Sequence, residues 1–163
     1  MTTQSHPAIR VSWPHVVLSL IGAGISMYAI HVHNLVMQGK ETGCGITETI
    51  TCDKVLASTY GEIFGIPLGM FGLLFFVIVL LSAITTNPAT TLRQMVLQRL
   101  LVCGVGFAVS VALTYISLAV IGAACPICLA THATTFVLFV VSLWQFWKMR
   151  RAPDVSESKA AIE

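Results

Sequence analysis

The sequence predicts an all-α membrane protein: a four-transmembrane-helix bundle with an extracytoplasmic loop and a short amphipathic surface helix between spans 1 and 2. Three observations carry this expectation. The 163 residues are 56% hydrophobic and 10% charged, against about a quarter charged in ordinary soluble domains. The mean hydropathy is +0.85. Four stretches lack charge for long enough to cross a hydrocarbon core about 30 Å thick. The same figures exclude a soluble globular enzyme and a disordered chain. A net charge of +2 is too small to point to a polyanion such as nucleic acid.

Span 1 runs over about 14–36 and is dotted with the small residues Gly22, Ala23, Gly24 and Ser26. Arg10 precedes it, but no small-x-small site follows at signal-peptide distance, so it is expected to stay uncleaved. Span 2 covers about 66–84 and contains Leu73-Leu74-Phe75-Phe76-Val77-Ile78-Val79-Leu80-Leu81. The run from Leu100 to Trp147 is too long for one crossing and must fold back. Gly122 suits the end of one helix and Pro126 the start of the next. Spans 3 and 4 are therefore expected at about 100–122 and 125–147. No internal repeat or low-complexity tract interrupts residues 1–151. Residues 152–163 are polar and expected to form a disordered cytoplasmic tail.

Basic residues set the orientation. With four spans, Arg10, Arg93, Arg99, Lys148, Arg150, Arg151 and Lys159 share one side, and Lys40 and Lys54 lie on the other. Both termini are expected in the cytoplasm. Trp13, Trp144 and Trp147 fall at that same boundary, as an interfacial aromatic belt does.

This topology puts Cys44 and Cys52 in the long outer loop, and Cys125 and Cys128 at the outer end of span 4. Disulfides persist on that side of a membrane. Cys125-Pro126-Ile127-Cys128 opens a helix, where backbone N–H groups and the helix dipole stabilise a thiolate. The i,i+3 spacing puts both sulfurs on one face. Cys44 and Cys52 lie in a loop flanked by Gly43 and Gly45 and expected to be open to water and protein partners, which suits exchange with external thiols. Two pairs at unequal depth form a relay between a water-soluble thiol protein and an oxidant dissolved in the bilayer. Two other readings stand beside it. Zinc ligation is disfavoured because Cys44-x7-Cys52 lacks zinc-knuckle spacing. Stapling disulfides would hold the loop to the bundle without redox turnover. Cys103, deep in span 3, reads as a small buried hydrophobe.

His132 lies one turn beyond Cys128, where it can serve a quinone carbonyl or bond a neighbouring helix. His31 and His33 are expected to mark the outer interface of span 1. Residues 53–64 read as the amphipathic surface helix, with Val55, Leu56 and Phe64 as a lid over the bundle mouth. Glycines 22, 24, 69, 72, 104 and 106 read as close-packing positions.

Nearly the whole chain resembles the vitamin K epoxide reductase (VKOR) family, of bacterial type. The resemblance rests on Cys44-x7-Cys52, on Ser58 six residues later, on Phe64-Gly65 before span 2, and on Cys125-Pro-Ile-Cys128 opening the last span. Ser26-Met-Tyr-Ala-Ile-His31 also looks like the family's first helix. The other quinone-linked disulfide generator, DsbB, places its CxxC pair first, so cysteine order favours the VKOR type. The resemblance implies an enzyme, a quinone-dependent thiol–disulfide oxidoreductase. Cys128 would react with the quinone, Cys125 would pair with it and exchange with Cys52, and Cys44 would receive electrons from a thioredoxin-like, DsbA-like partner. Ser58 would assist at the pocket mouth, with His132 and Phe64 as quinone contacts. Ubiquinone or menaquinone would be the acceptor, with no metal. Relatives that reduce the epoxide carry Tyr where His132 stands and an Asn before span 2 that Ile66-Pro67-Leu68-Gly69 lacks, which favours simple quinone reduction. Some relatives carry a fused thioredoxin-like domain. Only a short tail follows Trp147, so the partner is expected to be a separate protein.

Overall fold

A computed structural model describes residues 12–40, 42–45, 47, 49–84 and 92–151. Helix α1 spans Trp13–Met37, with proline in its first turn. A one-and-a-half-turn helix, α2, spans Cys52–Leu56. Strands β1 (Glu62–Ile63) and β2 (Ile66–Pro67) pair antiparallel and lead into α3, Leu68–Ile84. Helix α4, Leu92–Tyr115, continues as a π-helical turn, Ile116–Ile121. Helix α5 spans Pro126–Arg151. The chain is a multi-pass membrane protein. Three helices, α1, α4 with its π turn (30 residues) and α5, are long and apolar enough to cross a bilayer, and α3 is a shorter apolar helix of 17 residues.

Small residues set the packing. Helices α1 and α3 lie together, as do α4 and α5, and α1 also contacts α5. A Cβ on Gly22 would overlap the Phe76 ring, and one on Gly106 the Phe75 ring. Gly69 and Gly72 sit against Ile30 and Ser26 of α1, whereas Gly24 faces open space. Five of the six expected packing glycines therefore touch another helix, Gly104 the most loosely, and Gly24 instead floors a groove with Tyr28 and Ala130. Phe107 stacks on Phe139, ring centroids 5.0 Å apart. Exposed apolar side chains such as Leu20, Leu74, Leu101 and Val140 form the surface a lipid tail covers.

The helix ends depart from expectation in four places. Helix α4 begins at Leu92, well before Leu100. A charge-free criterion cannot admit Arg99, yet Arg99 is 7% exposed and donates Nε and Nη2 to the Ser82 carbonyl at 3.0 and 2.6 Å. A freed α3 carbonyl gives this cation a partner at depth. Helix α5 extends to Arg151, with Lys148, Arg150 and Arg151 in its last turn, where cations favour the helix dipole. The surface helix is shorter than expected. It ends at Leu56, because Ser58-Thr59-Tyr60-Gly61 are poor helix formers and Phe64 and Gly65 both take positive φ in the β1–β2 turn, the geometry of a tight hairpin. Span 2 starts two residues late, since Ile66–Pro67 belongs to that hairpin. The expected disordered tail, and residues 85–91 of the expected cytoplasmic loop, lie outside the described residues.

A buried polar network ties the ends of α1 and α5. His15 Nε2 lies 2.9 Å from Ser142 Oγ, whose own proton goes to the Leu138 carbonyl at 2.8 Å. His15 Nε2 therefore donates and Nδ1 accepts from Ser12 Oγ at 2.8 Å. Gln145 Nε2 donates to Ser12 Oγ at 3.0 Å. Ser12, both ring nitrogens of His15 and Ser142 thus all find partners in this network, as buried polar groups require.

Candidate functional site

Three segments meet at the other end of the bundle. Thr51 caps α2 by accepting the Asp53 N–H, at 3.3 Å, and so presents Cys52 as the first helical residue. Cys52 is completely buried and joined to half-buried Cys44 by a disulfide, Cα atoms 5.6 Å apart. Thr42 Oγ1 donates to Asp53 at 2.6 Å and ties the arm carrying Cys44 to α2.

Cys125 precedes α5, and its sulfur occupies the capping position. It accepts the Cys128 N–H at 3.3 Å, while its carbonyl accepts the Leu129 N–H at 2.9 Å. A thiolate at Cys125 thus sits at the positive end of the α5 dipole. Gly122, at φ 70°, ends the π turn in the left-handed region and lets the chain reverse within three residues of Cys125. A parallel bridge then joins the loop to this turn. The Ala124 N–H donates to the Thr49 carbonyl at 2.8 Å, and the Thr51 N–H donates to the Ala124 carbonyl at 3.0 Å.

The result is contact between the two pairs. The Cys125 and Cys52 sulfurs are 3.6 Å apart. Both are buried among Ala29, Val32, Val55, Leu56 and Ala123, out of reach of water. Cys128 is free and half-buried. The loop pair is oxidised and the inner pair reduced. A free thiol therefore lies against a disulfide, the two groups that thiol–disulfide exchange requires.

The other expected residues are placed as follows. Ser58 Oγ donates to the Val55 carbonyl at 2.7 Å, closing the end of α2. With Phe64 and Glu62 it lines a hollow of about 360 Å³. Phe64 is fully exposed at the hairpin tip, so Val55 and Leu56 cover the cysteines without it. His132 is half-buried, and its Nδ1 has no hydrogen-bond partner among the described residues. His31 is exposed, whereas His33 is 3% exposed, with its Nε2 4.0 Å from Glu62 of the hairpin. Cys103 is buried with Phe76, Val79 and Leu138, apart from the other four cysteines. Sequence reasoning missed the Ala124 bridge and the His15 network. A histidine beside Ser12 in the first turn was the only available signal for the latter. No group of three or more His, Cys, Asp or Glu among the described residues is placed to hold a metal ion.

Two cysteine pairs thus stand in sulfur–sulfur contact at one end of a helical membrane chain. The family model described as the vitamin K epoxide reductase family matches residues 13–143, and the chain belongs to that family of membrane oxidoreductases.

Proposed function

We propose that this protein is a membrane thiol:quinone oxidoreductase that generates disulfides in an extracytoplasmic partner. The observation that carries this reading is the 3.6 Å contact between the Cys52 and Cys125 sulfurs. Stapling disulfides need no free buried thiol against a disulfide, and here Cys125 is one.

The partner is a thioredoxin-like, DsbA-like protein presenting a dithiol. One of its thiolates attacks Cys44, the more accessible member of the loop disulfide. The partner leaves oxidised, with both electrons on Cys44 and Cys52. The Cys52 thiolate then attacks Cys125 of an oxidised inner pair. The Cys52–Cys125 bond forms, the Cys125–Cys128 bond breaks, and the electron pair leaves on Cys128. Attack of Cys44 on Cys52 restores the loop disulfide and releases Cys125. A bonded Cys44–Cys52 pair beside free Cys125 and Cys128 is compatible with the state this step would leave. The quinone, ubiquinone or menaquinone, is the substrate that accepts two electrons and two protons and leaves as quinol. Cys128 faces it, and the unpartnered His132 Nδ1 is the polar group suited to one of its carbonyls. Ser58 supports the cap over this site by closing α2.

For the topology, we infer that α3 is a fourth crossing. Its 17 residues rise about 26 Å at 1.5 Å each, close to the thickness of the hydrocarbon core. Both termini are then cytoplasmic and both cysteine pairs extracytoplasmic. Reduction of vitamin K or its epoxide by the same cysteines is the alternative. Complementation tests the function: the chain restores disulfide formation to bacteria lacking their quinone-linked membrane oxidase, and a Cys125→Ala chain does not. Equal rescue by both contradicts the reading. Quinol formation from ubiquinone but not from vitamin K epoxide separates the two acceptors.

A further inference from the structure

The geometry points to Ser117 as a positioning residue for exchange between Cys52 and Cys125, an inference that rests on the relay reading above. Ser117 lies in the π-helical turn Ile116–Ile121. Such turns accommodate an extra residue and recur at functional sites. Here the turn ends three residues short of Cys125, and Ser117 holds both polar groups of Ala123. Its hydroxyl donates to the Ala123 carbonyl at 2.6 Å, and its carbonyl accepts the Ala123 N–H at 3.1 Å.

Consecutive residues are thereby fixed by different elements. Ala123 is clamped by α4 through Ser117. Ala124 is clamped by the loop through Thr49 and Thr51. Cys125 is fixed by α5 through its sulfur and carbonyl. Thr51 precedes Cys52 directly, so the loop clamp holds one sulfur while the Ser117 clamp holds the turn that carries the other. The pair must close from 3.6 Å to a bond of about 2.05 Å. A clamp two residues from Cys125 sets how often that approach occurs. Ala123 is 1% exposed, so no water replaces the lost donor when the Ser117 hydroxyl is removed.

The test uses the full chain in membranes with Cys44→Ala and Cys128→Ala, so that Cys52 and Cys125 can only pair with each other. Glutathione disulfide oxidises them, forming the Cys52–Cys125 bond and releasing two glutathione thiols. The equilibrium constant against the glutathione couple reads the effective concentration of one sulfur at the other. Ser117→Ala lowers it about tenfold, as loss of a hydrogen bond to a buried carbonyl predicts. Ser117→Thr, which keeps the hydroxyl, restores it. Ser117→Val, matched in shape to threonine, repeats the loss if alanine weakens the fold. In a chain with all four cysteines of the relay, Ser117→Ala leaves quinol formation driven directly by dithiothreitol within about twofold of the parent, because that small reductant attacks half-buried Cys128 without passing the loop. An unchanged constant in both Ser117→Ala and Ser117→Val overturns the proposal, as does an equal fall in the dithiothreitol-driven reaction. Failure of Cys52 and Cys125 to pair when Ser117 is intact refutes the relay itself, and this inference with it.

Discussion

Replacing Cys128 with alanine separates the two halves of the proposed relay, because that relay gives its thiol and its backbone different tasks. The backbone N–H supports the Cys125 sulfur at 3.3 Å, and alanine keeps that N–H. Alanine removes the side-chain hydrogen bond between the Cys128 and Cys125 sulfurs but leaves the 3.6 Å approach of Cys125 to Cys52. Cys128 is half-buried, so removing one sulfur costs roughly 1 kcal/mol of stability and the fold survives. Quinone reduction, however, loses the sulfur that faces the acceptor. Cys103 cannot replace it, since it packs with Phe76 and Leu138 in a separate cluster. Quinol formation is therefore expected to fall by on the order of 10³ or more, the scale on which loss of a reacting group acts. Exchange between a partner dithiol and the loop disulfide stays within about twofold. The assay follows quinol absorbance with a reduced thioredoxin-like protein as donor, in parallel with mass mapping of the Cys44–Cys52 disulfide. Wild-type quinol production by Cys128→Ala refutes the assignment, and so does simultaneous loss of loop exchange with the protein still folded.

Two further predictions follow from packing. Gly22→Ala drives a Cβ into the Phe76 ring and is expected to destabilise the α1–α3 contact by about 1–3 kcal/mol, whereas the Cβ of Gly24→Ala meets nothing within 4 Å and the change is neutral or stabilising by up to about 1 kcal/mol through helix propensity. Thermal unfolding in detergent compares them, and equal melting temperatures contradict the glycine assignment. His15→Ala removes both bridging hydrogen bonds of the α1–α5 network and leaves a cavity. The expected loss is roughly 3 kcal/mol, mostly from the cavity, since a hydrogen bond between membrane helices averages only about 0.6 kcal/mol. Measured stability within about 0.5 kcal/mol of the parent would show that the network holds nothing together.

The fold was largely readable where local chemistry speaks. Gly122 and Pro126 announced the reversal between the last two long helices, and the structure turns there, at a left-handed Gly122. The CxxC at a helix start gave the capping sulfur of Cys125. Rules applied residue by residue failed where a tertiary partner decides. Arg99 ended the expected span because a cation is costly in lipid, but Ser82 offers it a carbonyl. Apolar Val55 and Leu56 suggested a helix through Phe64, but only the turn facing Cys125 forms. Spacing located both cysteine pairs but could not show that Cys52, rather than Cys44, touches Cys125. That depends on the backbone bridge from Thr49 and Thr51 to Ala124, between segments far apart in sequence and carried by main-chain atoms that leave no residue signature.

The central claim is that electrons cross from the loop to α5 through a bond between Cys52 and Cys125. The most direct measurement is peptide mapping of the Cys44→Ala, Cys128→Ala chain isolated under acid quench from oxidising membranes. The account predicts one dominant disulfide-linked species joining the peptides that carry Cys52 and Cys125. Recovery of these two cysteines as separate alkylated thiols, with Cys103 as the only control thiol behaving alike, would contradict it.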